Sequence, residues 1–148
     1  MDALEYVRQL TVFEYSIDRS TVHLGKDRRW LVIPRDDEIR HRREYGVYVF
    51  FDGDRCLYVG ESSPHLLVGR ALDYLWKKGG REWLYRIIWH YADRLFIIFC
   101  GAEDELAGLR MEAHLVGVLE PVLNENALFA TPEERIRYGI SVQKTKLR

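Results

Sequence analysis

The sequence has only two cysteines, Cys56 and Cys100, and both lie inside apolar, strand-like runs. That usage excludes a disulfide-stapled scaffold and a cysteine-built metal site; two buried free thiols in a reducing compartment are expected. Proline is also scarce, with 4 residues in 148, and no stretch reads as a linker, a repeat or a low-complexity tract. A chain of this length without linkers is expected to form one domain. No apolar run approaches the ~20 residues of a membrane-spanning helix. Asp2 and Glu5 sit where a secretory leader would carry positive charge. A cytoplasmic protein with no membrane partner is therefore expected. Charge of one sign is lacking too, since 22 basic residues face 23 acidic ones for a net charge of −1. That excludes a nucleic-acid binder held by bulk positive charge and leaves room for a local basic groove. Nothing in the sequence fixes the oligomeric state.

What the chain does have is a well-patterned hairpin from Gly46 to Gly60. Val47-Tyr48-Val49-Phe50-Phe51 and Cys56-Leu57-Tyr58-Val59 are β-branched and aromatic runs separated by an Asp-Gly turn signal. Side chains alternate faces along a strand. Val47, Val49, Phe51, Leu57 and Val59 then make a core face, and Gly46, Tyr48, Phe50, Cys56, Tyr58 and Gly60 make the other. A three-residue loop, Asp52 to Asp54, keeps these faces separate and sets Tyr48 opposite Tyr58.

The rest of the chain is read around this hairpin. Leu4, Val7, Leu10, Val12 and Phe13 suggest an N-terminal helix, and the segments 21–24 and 30–33 suggest short strands. The mixed-charge run from Arg35 to Glu44 reads as a solvated helix or loop. Ser63-Pro64 is a helix-start signal for a helix over 64–77. Residues 81–91 fit both helix and strand periods, with helix preferred. Leu95–Cys100 reads as an interior strand. A helix over 103–119 carries the apolar stripe Leu106, Leu109, Ala113, Val116 and Leu119, with Glu112 in or beside it. A carboxylate there is costly unless paired or bound to a cation. Pro121 to Asn126 reads as a turn, and Thr131-Pro132 as the start of a short last helix. The expected fold class is α/β: a small three-stranded, mostly antiparallel sheet flanked by helices, with extra N-terminal strands at one edge. Residues 1–45 form an extension packed on the core, 46–126 the core, and 127–148 a helix and basic tail.

Taken singly, the candidate residues have commonplace roles. Tyr48 and Tyr58 read as cross-strand packing. Arg70 reads as a surface charge or a partner for Asp73, and Tyr74 as a half-buried helix aromatic. Glu112 has Arg110 and His114 in reach, and Asn124 is a turn residue with Asn126 as a competing match. The histidines lack metal-ligand spacing, and the tryptophans read as core.

Together, their order and spacing resemble the GIY-YIG nuclease family over residues 46–126. Gly46-Val47-Tyr48 and Tyr58-Val59-Gly60 stand for its two name motifs, with Val for Ile in both. Arg70 and Tyr74 match an arginine and a His or Tyr in the next helix. Glu112 matches a helical glutamate, and Pro121-Val122-Leu123-Asn124 an asparagine after a proline. The resemblance implies a divalent-metal-dependent endonuclease that hydrolyses phosphodiesters, with DNA favoured over RNA as the nucleic-acid partner. Glu112 would hold Mg²⁺ or Mn²⁺, a hard cation suited to carboxylate and water. Arg70 would clamp the phosphate. Tyr48 would take a proton from the attacking water, which requires lowering a phenol pKa that is ordinarily near ~10. Tyr58 and Tyr74 would orient water or phosphate, and Asn124 would brace the site. Lys77, Lys78, Arg81 and Arg86 form a basic strip for substrate binding near the active face. The alternatives are an inactive binding or regulatory module of the same fold, and an RNA nuclease.

Overall fold

The computed structural model describes residues 2–10, 12–17, 42–62 and 82–140. The expected helix over 64–77, the strands in 20–33 and the C-terminal tail lie outside the described residues. So do Arg70, Tyr74, Lys77, Lys78, Arg81, His65, Trp30 and Trp76.

Four strands form one sheet: β1 (Val12–Ser16), β2 (Gly46–Asp52), β3 (Arg55–Ser62) and β4 (Arg94–Phe99). Their order is β1-β4-β2-β3 and every pairing is antiparallel. The strand beyond the expected three is β1. Helix α1 (Ala3–Arg8) ends earlier than its apolar spacing suggests, and Val12 and Phe13 belong to the strand. Phe13, Tyr15 and Ile17 alternate with Glu14 and Ser16, a period of two that a helix cannot use.

Both faces of β2 are covered, because strands flank it on each side and helices lie above and below. Tyr48, Phe50, Leu57 and Tyr58 pack with Leu84, Ile87 and Ile88 of α2 (Glu82–Tyr91). Helical spacing decides the ambiguous 81–91 segment: residues 84, 87 and 88 are buried while Arg86 and His90 are exposed. On the other face Val47, Val49, Phe51, Cys56 and Val59 pack with Val7 of α1 and with Leu115 and Leu119 of α3 (Glu105–Leu119). Full burial pushes the Cys56 thiol far up, so it is an inert core residue.

Helix α3 starts at the cap Asp104, whose carboxylate accepts the Leu106 N–H at 2.9 Å. Its buried stripe is not the expected one. Gly108, Leu115 and Leu119 face the sheet, whereas Leu106 and Leu109 remain 47% and 46% exposed. The reason is a close backbone approach: a Cβ on Gly108 would lie 3.3 Å from both the N and the O of Gly46. The helix turns its smallest residue, not its largest, to the start of β2. Glu112 lies four residues after Gly108 and three before Leu115, so it falls on this sheet-facing stripe.

After α3, Glu120 adopts a left-handed conformation before Pro121. The chain then runs along the free edge of β3: the N–H of Val122 donates to the Cys56 carbonyl at 3.1 Å and that of Leu123 to Leu57 at 2.9 Å. Arg55 fastens this segment from the hairpin. It donates to the carbonyls of Glu120 and Phe129 at 2.8 and 3.3 Å, and its Nε lies 2.6 Å from Glu134. The turn α4 (Asn124–Ala127) and helix α5 (Pro132–Tyr138) follow. Thr131 and Glu134 close the expected capping box on α5.

Candidate active site at the Tyr48–Gly60 hairpin

The hairpin turn holds two residues, Gly53 and Asp54, with Asp52 paired to Arg55. A two-residue turn alone would mix the two side-chain patterns. A bulge after Phe50 restores them from Tyr58 onward and reverses the expected faces of Cys56 and Leu57: Phe51 pairs Cys56, and Phe50 pairs Tyr58 with Leu57 as the extra residue. The expected three-residue loop and the direct Tyr48–Tyr58 pair are therefore replaced. Cys56 joins the α3 face and Leu57 the α2 face. Tyr48 and Tyr58 still share a face, with ring centroids 6.4 Å apart and planes at 41°.

The residue opposite Tyr48 is Gly60. A Cβ there would lie 2.4 Å from both Cζ and the hydroxyl oxygen of Tyr48. The Tyr48 ring thus lies across the bare backbone of Gly60, and only glycine admits it. Tyr48 is 1% exposed and Tyr58 9%. Both rings are set by packing, as a positioned phenol requires.

Asn124 answers the question posed by the exposed edge of β3. Its amide Nδ2 donates to the Val59 carbonyl at 2.8 Å, and its Oδ1 accepts the Val59 N–H at 2.9 Å. One side chain satisfies both ladder groups of the residue between Tyr58 and Gly60, as a neighbouring strand would. This separates it from Asn126, which is exposed on the turn beyond. Glu125, Asn126 and Ala127 all take left-handed conformations, with φ of 55°, 57° and 64°. For a non-glycine residue this costs about 1–2 kcal/mol each. Glu125→Gly is expected to raise the melting temperature by a few degrees, measured by thermal unfolding, and an unchanged value would deny the strain.

Glu112 meets the hairpin at its far end. Its carboxylate is half-buried and accepts the backbone N–H of Glu61, the residue after Gly60. Its pKa is raised, first by burial, then by the nearby carboxylate of Glu61 and, more weakly, that of Glu125; the hydrogen bond only partly offsets this. Neither expected cation partners it. Arg110 binds Asp104 at 2.8 Å, and His114 meets the Tyr6 hydroxyl at 2.5 Å. Among the described residues no cation forms an ion pair with Glu112. Sequence reasoning missed Glu61 and Glu125; the available signal was that Glu61 extends the second strand by one residue beyond Gly60.

The structure brings Glu112 to the Gly60 end of β3, sets Tyr48 on Gly60, and locks Asn124 to Val59. Among the described residues the charged groups that act on Glu112 are the carboxylates of Glu61 and Glu125, and carboxylate oxygen suits Mg²⁺ or Mn²⁺. Among the described residues no three His, Cys, Asp or Glu gather closely enough to cage an ion. A cation on Glu112 would take most of its shell from water and substrate, the habit of Mg²⁺.

No family model matches this sequence, and no curated protein matches it. Among solved structures it is similar to the GIY-YIG N-terminal endonuclease domain of UvrC from Thermotoga maritima, bound to its catalytic divalent cation, magnesium. The identity is 26%, the match covers 57% of this chain and 89% of that chain, and the TM-score is 0.44. The chain itself is an α/β domain with an antiparallel sheet flanked by helices. Among the described residues, no helix is long and apolar enough to cross a membrane.

Proposed function

We propose that this protein is a divalent-metal-dependent endonuclease that hydrolyses phosphodiester bonds in DNA, with Glu112 holding the metal. The observation that carries this reading is the state of Glu112. A half-buried carboxylate crowded by like charge, and without a cation partner among the described residues, weakens a fold unless something positive binds it. It stands at the end of the strand that carries Tyr58 and Gly60. A bound Mg²⁺ would supply a Lewis acid for the scissile phosphate and the leaving 3′ oxygen.

The chain's own groups do the remainder. Tyr48, fixed across Gly60, accepts the proton of the attacking water, and Tyr58 beside it orients that water. Asn124 keeps the strand between the two motifs from shifting. In the same reading Arg70 clamps the phosphate, Tyr74 orients it, and Lys77, Lys78 and Arg81 contact the substrate backbone.

The test is incubation with Mg²⁺ or Mn²⁺ of plasmid, single-stranded, branched and RNA substrates. Cutting of at least one DNA substrate is expected. Tyr48→Phe keeps the ring over Gly60 and is expected to slow cutting by roughly 10²-fold, the scale of a lost general base. A folded protein that cuts nothing on this panel would sink the proposal, and full activity in Tyr48→Phe would remove the phenol from the chemistry.

A further inference from the structure

At the opposite end of β2 from Gly46, helices α2 and α5 enclose an open groove of about 620 Å³. Arg86, His90 and Tyr91 form one wall, and Ile136, Arg137 and Tyr138 the other. Three features set it apart from ordinary surface. Among the described residues its lining includes two arginines and a histidine and no carboxylate. Arg86 is exposed. Ile136, at 82% exposure, is the most exposed large apolar residue among those described.

The far wall is rigid. Arg137 and the Tyr138 hydroxyl both hold Asp52 Oδ2, at 2.8 and 2.7 Å. The Arg137 guanidinium lies 5.2 Å from the Tyr91 ring centroid and 5.4 Å from that of Tyr138. Those two rings meet edge to face at 4.9 Å. Asp52 is thus engaged from the protein side.

We propose that this groove is a second nucleic-acid site, one that holds the phosphodiester backbone away from the point of cleavage. Cationic walls with aromatic and apolar surface between them fit a strand whose phosphates meet Arg86 and whose sugars and bases lie on Tyr91 and Ile136. Strand β2 separates the groove from Tyr48, the residue opposite Gly60, by about 13 Å, roughly four base pairs along a duplex. The choice of nucleic acid over other polyanions rests on the nuclease reading. The groove would give a chain of near-zero net charge the local grip that its composition does not supply.

The test reads binding without cleavage. A labelled oligonucleotide of twenty nucleotides, single-stranded or in a duplex, is titrated with the full chain in EDTA at several salt concentrations, followed by anisotropy. Arg86→Glu changes an exposed side chain. It is expected to weaken binding roughly tenfold and to flatten the salt dependence by one phosphate contact or more. Unchanged affinity and salt slope in Arg86→Glu would overturn the groove, as would a wild-type chain that binds no oligonucleotide. Displacement of the oligonucleotide by polyglutamate as readily as by unlabelled DNA would assign the groove to acidic peptides and overturn it equally. If the wild type cuts DNA while Arg86→Glu binds normally, the groove fails and the nuclease reading stands. If nothing is cut yet binding falls in Arg86→Glu, the reverse holds.

Discussion

Glu112→Gln is expected to abolish nuclease activity, by at least roughly 10³-fold, while making the folded protein more stable at neutral pH. The two effects have one cause. Burial and the Glu61 carboxylate disfavour the ionised Glu112. Its folded pKa is therefore above its unfolded one. The sign follows from linkage: a raised carboxylate pKa means the folded state binds the extra proton, so this group opposes folding more as pH rises through that range. At neutral pH the wild type bears that cost in full and the glutamine variant does not. Below the unfolded pKa both carry a neutral side chain there, and the stability difference closes. Thermal unfolding of the two proteins in metal-free buffer at pH 7 and pH 4 measures this. A variant less stable than wild type at pH 7 would mean that Glu112 has a stabilising partner. The same raised pKa makes metal-dependent cutting rise with pH above the ordinary carboxylate range, because only the ionised form holds a cation.

Gly60→Ala is expected to cost about 3 kcal/mol and to remove activity together with stability. The added methyl would sit 2.4 Å from Cζ and the hydroxyl oxygen of Tyr48. Neither side can yield. Tyr48 is 1% exposed, and the Gly60 backbone lies between β2 and the clamp of Asn124 on Val59. For a domain of this size the melting temperature should fall on the order of 10 °C. Tyr48→Phe in the same chain should not rescue it, because the clash reaches the ring carbon. Tyr48→Ala should recover part of the loss, and this double-mutant comparison isolates the contact. An unchanged melting temperature in Gly60→Ala would show that Tyr48 does not lie across Gly60.

Much of this was legible in the residues. The hairpin, the strand at 95–100, the helix start at Thr131 and the odd placement of Glu112 follow from local pattern, and local pattern is what a sequence carries most clearly. The failures share a different origin. The register of Tyr48 and Tyr58 depends on a bulge that compensates a two-residue turn; both solutions keep the two tyrosines on one face and differ in the faces of Cys56 and Leu57. The buried stripe of α3 was misjudged because large apolar residues were weighted, whereas the packing is set by Gly108 against the Gly46 backbone. Strand β1 was hidden because Val12 and Phe13 continue the helical spacing of Leu4 and Val7. Asn124 and Asn126 are equal as turn residues. Only the free edge of β3, a three-dimensional fact, separates them. Arg86 lines the α2–α5 groove with Arg137, a residue fifty-one positions away in sequence, a pairing that no local pattern carries.

The most direct measurement is a time course of supercoiled plasmid incubated with the purified chain in Mg²⁺, in EDTA, and in EDTA followed by excess Mg²⁺. Nicked and linear products should appear with Mg²⁺, stop with EDTA and return when the metal is restored, and Glu112→Gln should yield none in any arm. Cutting that persists in EDTA, or that Glu112→Gln carries out at the wild-type rate, would contradict the assignment of Glu112 as the carboxylate that holds the metal.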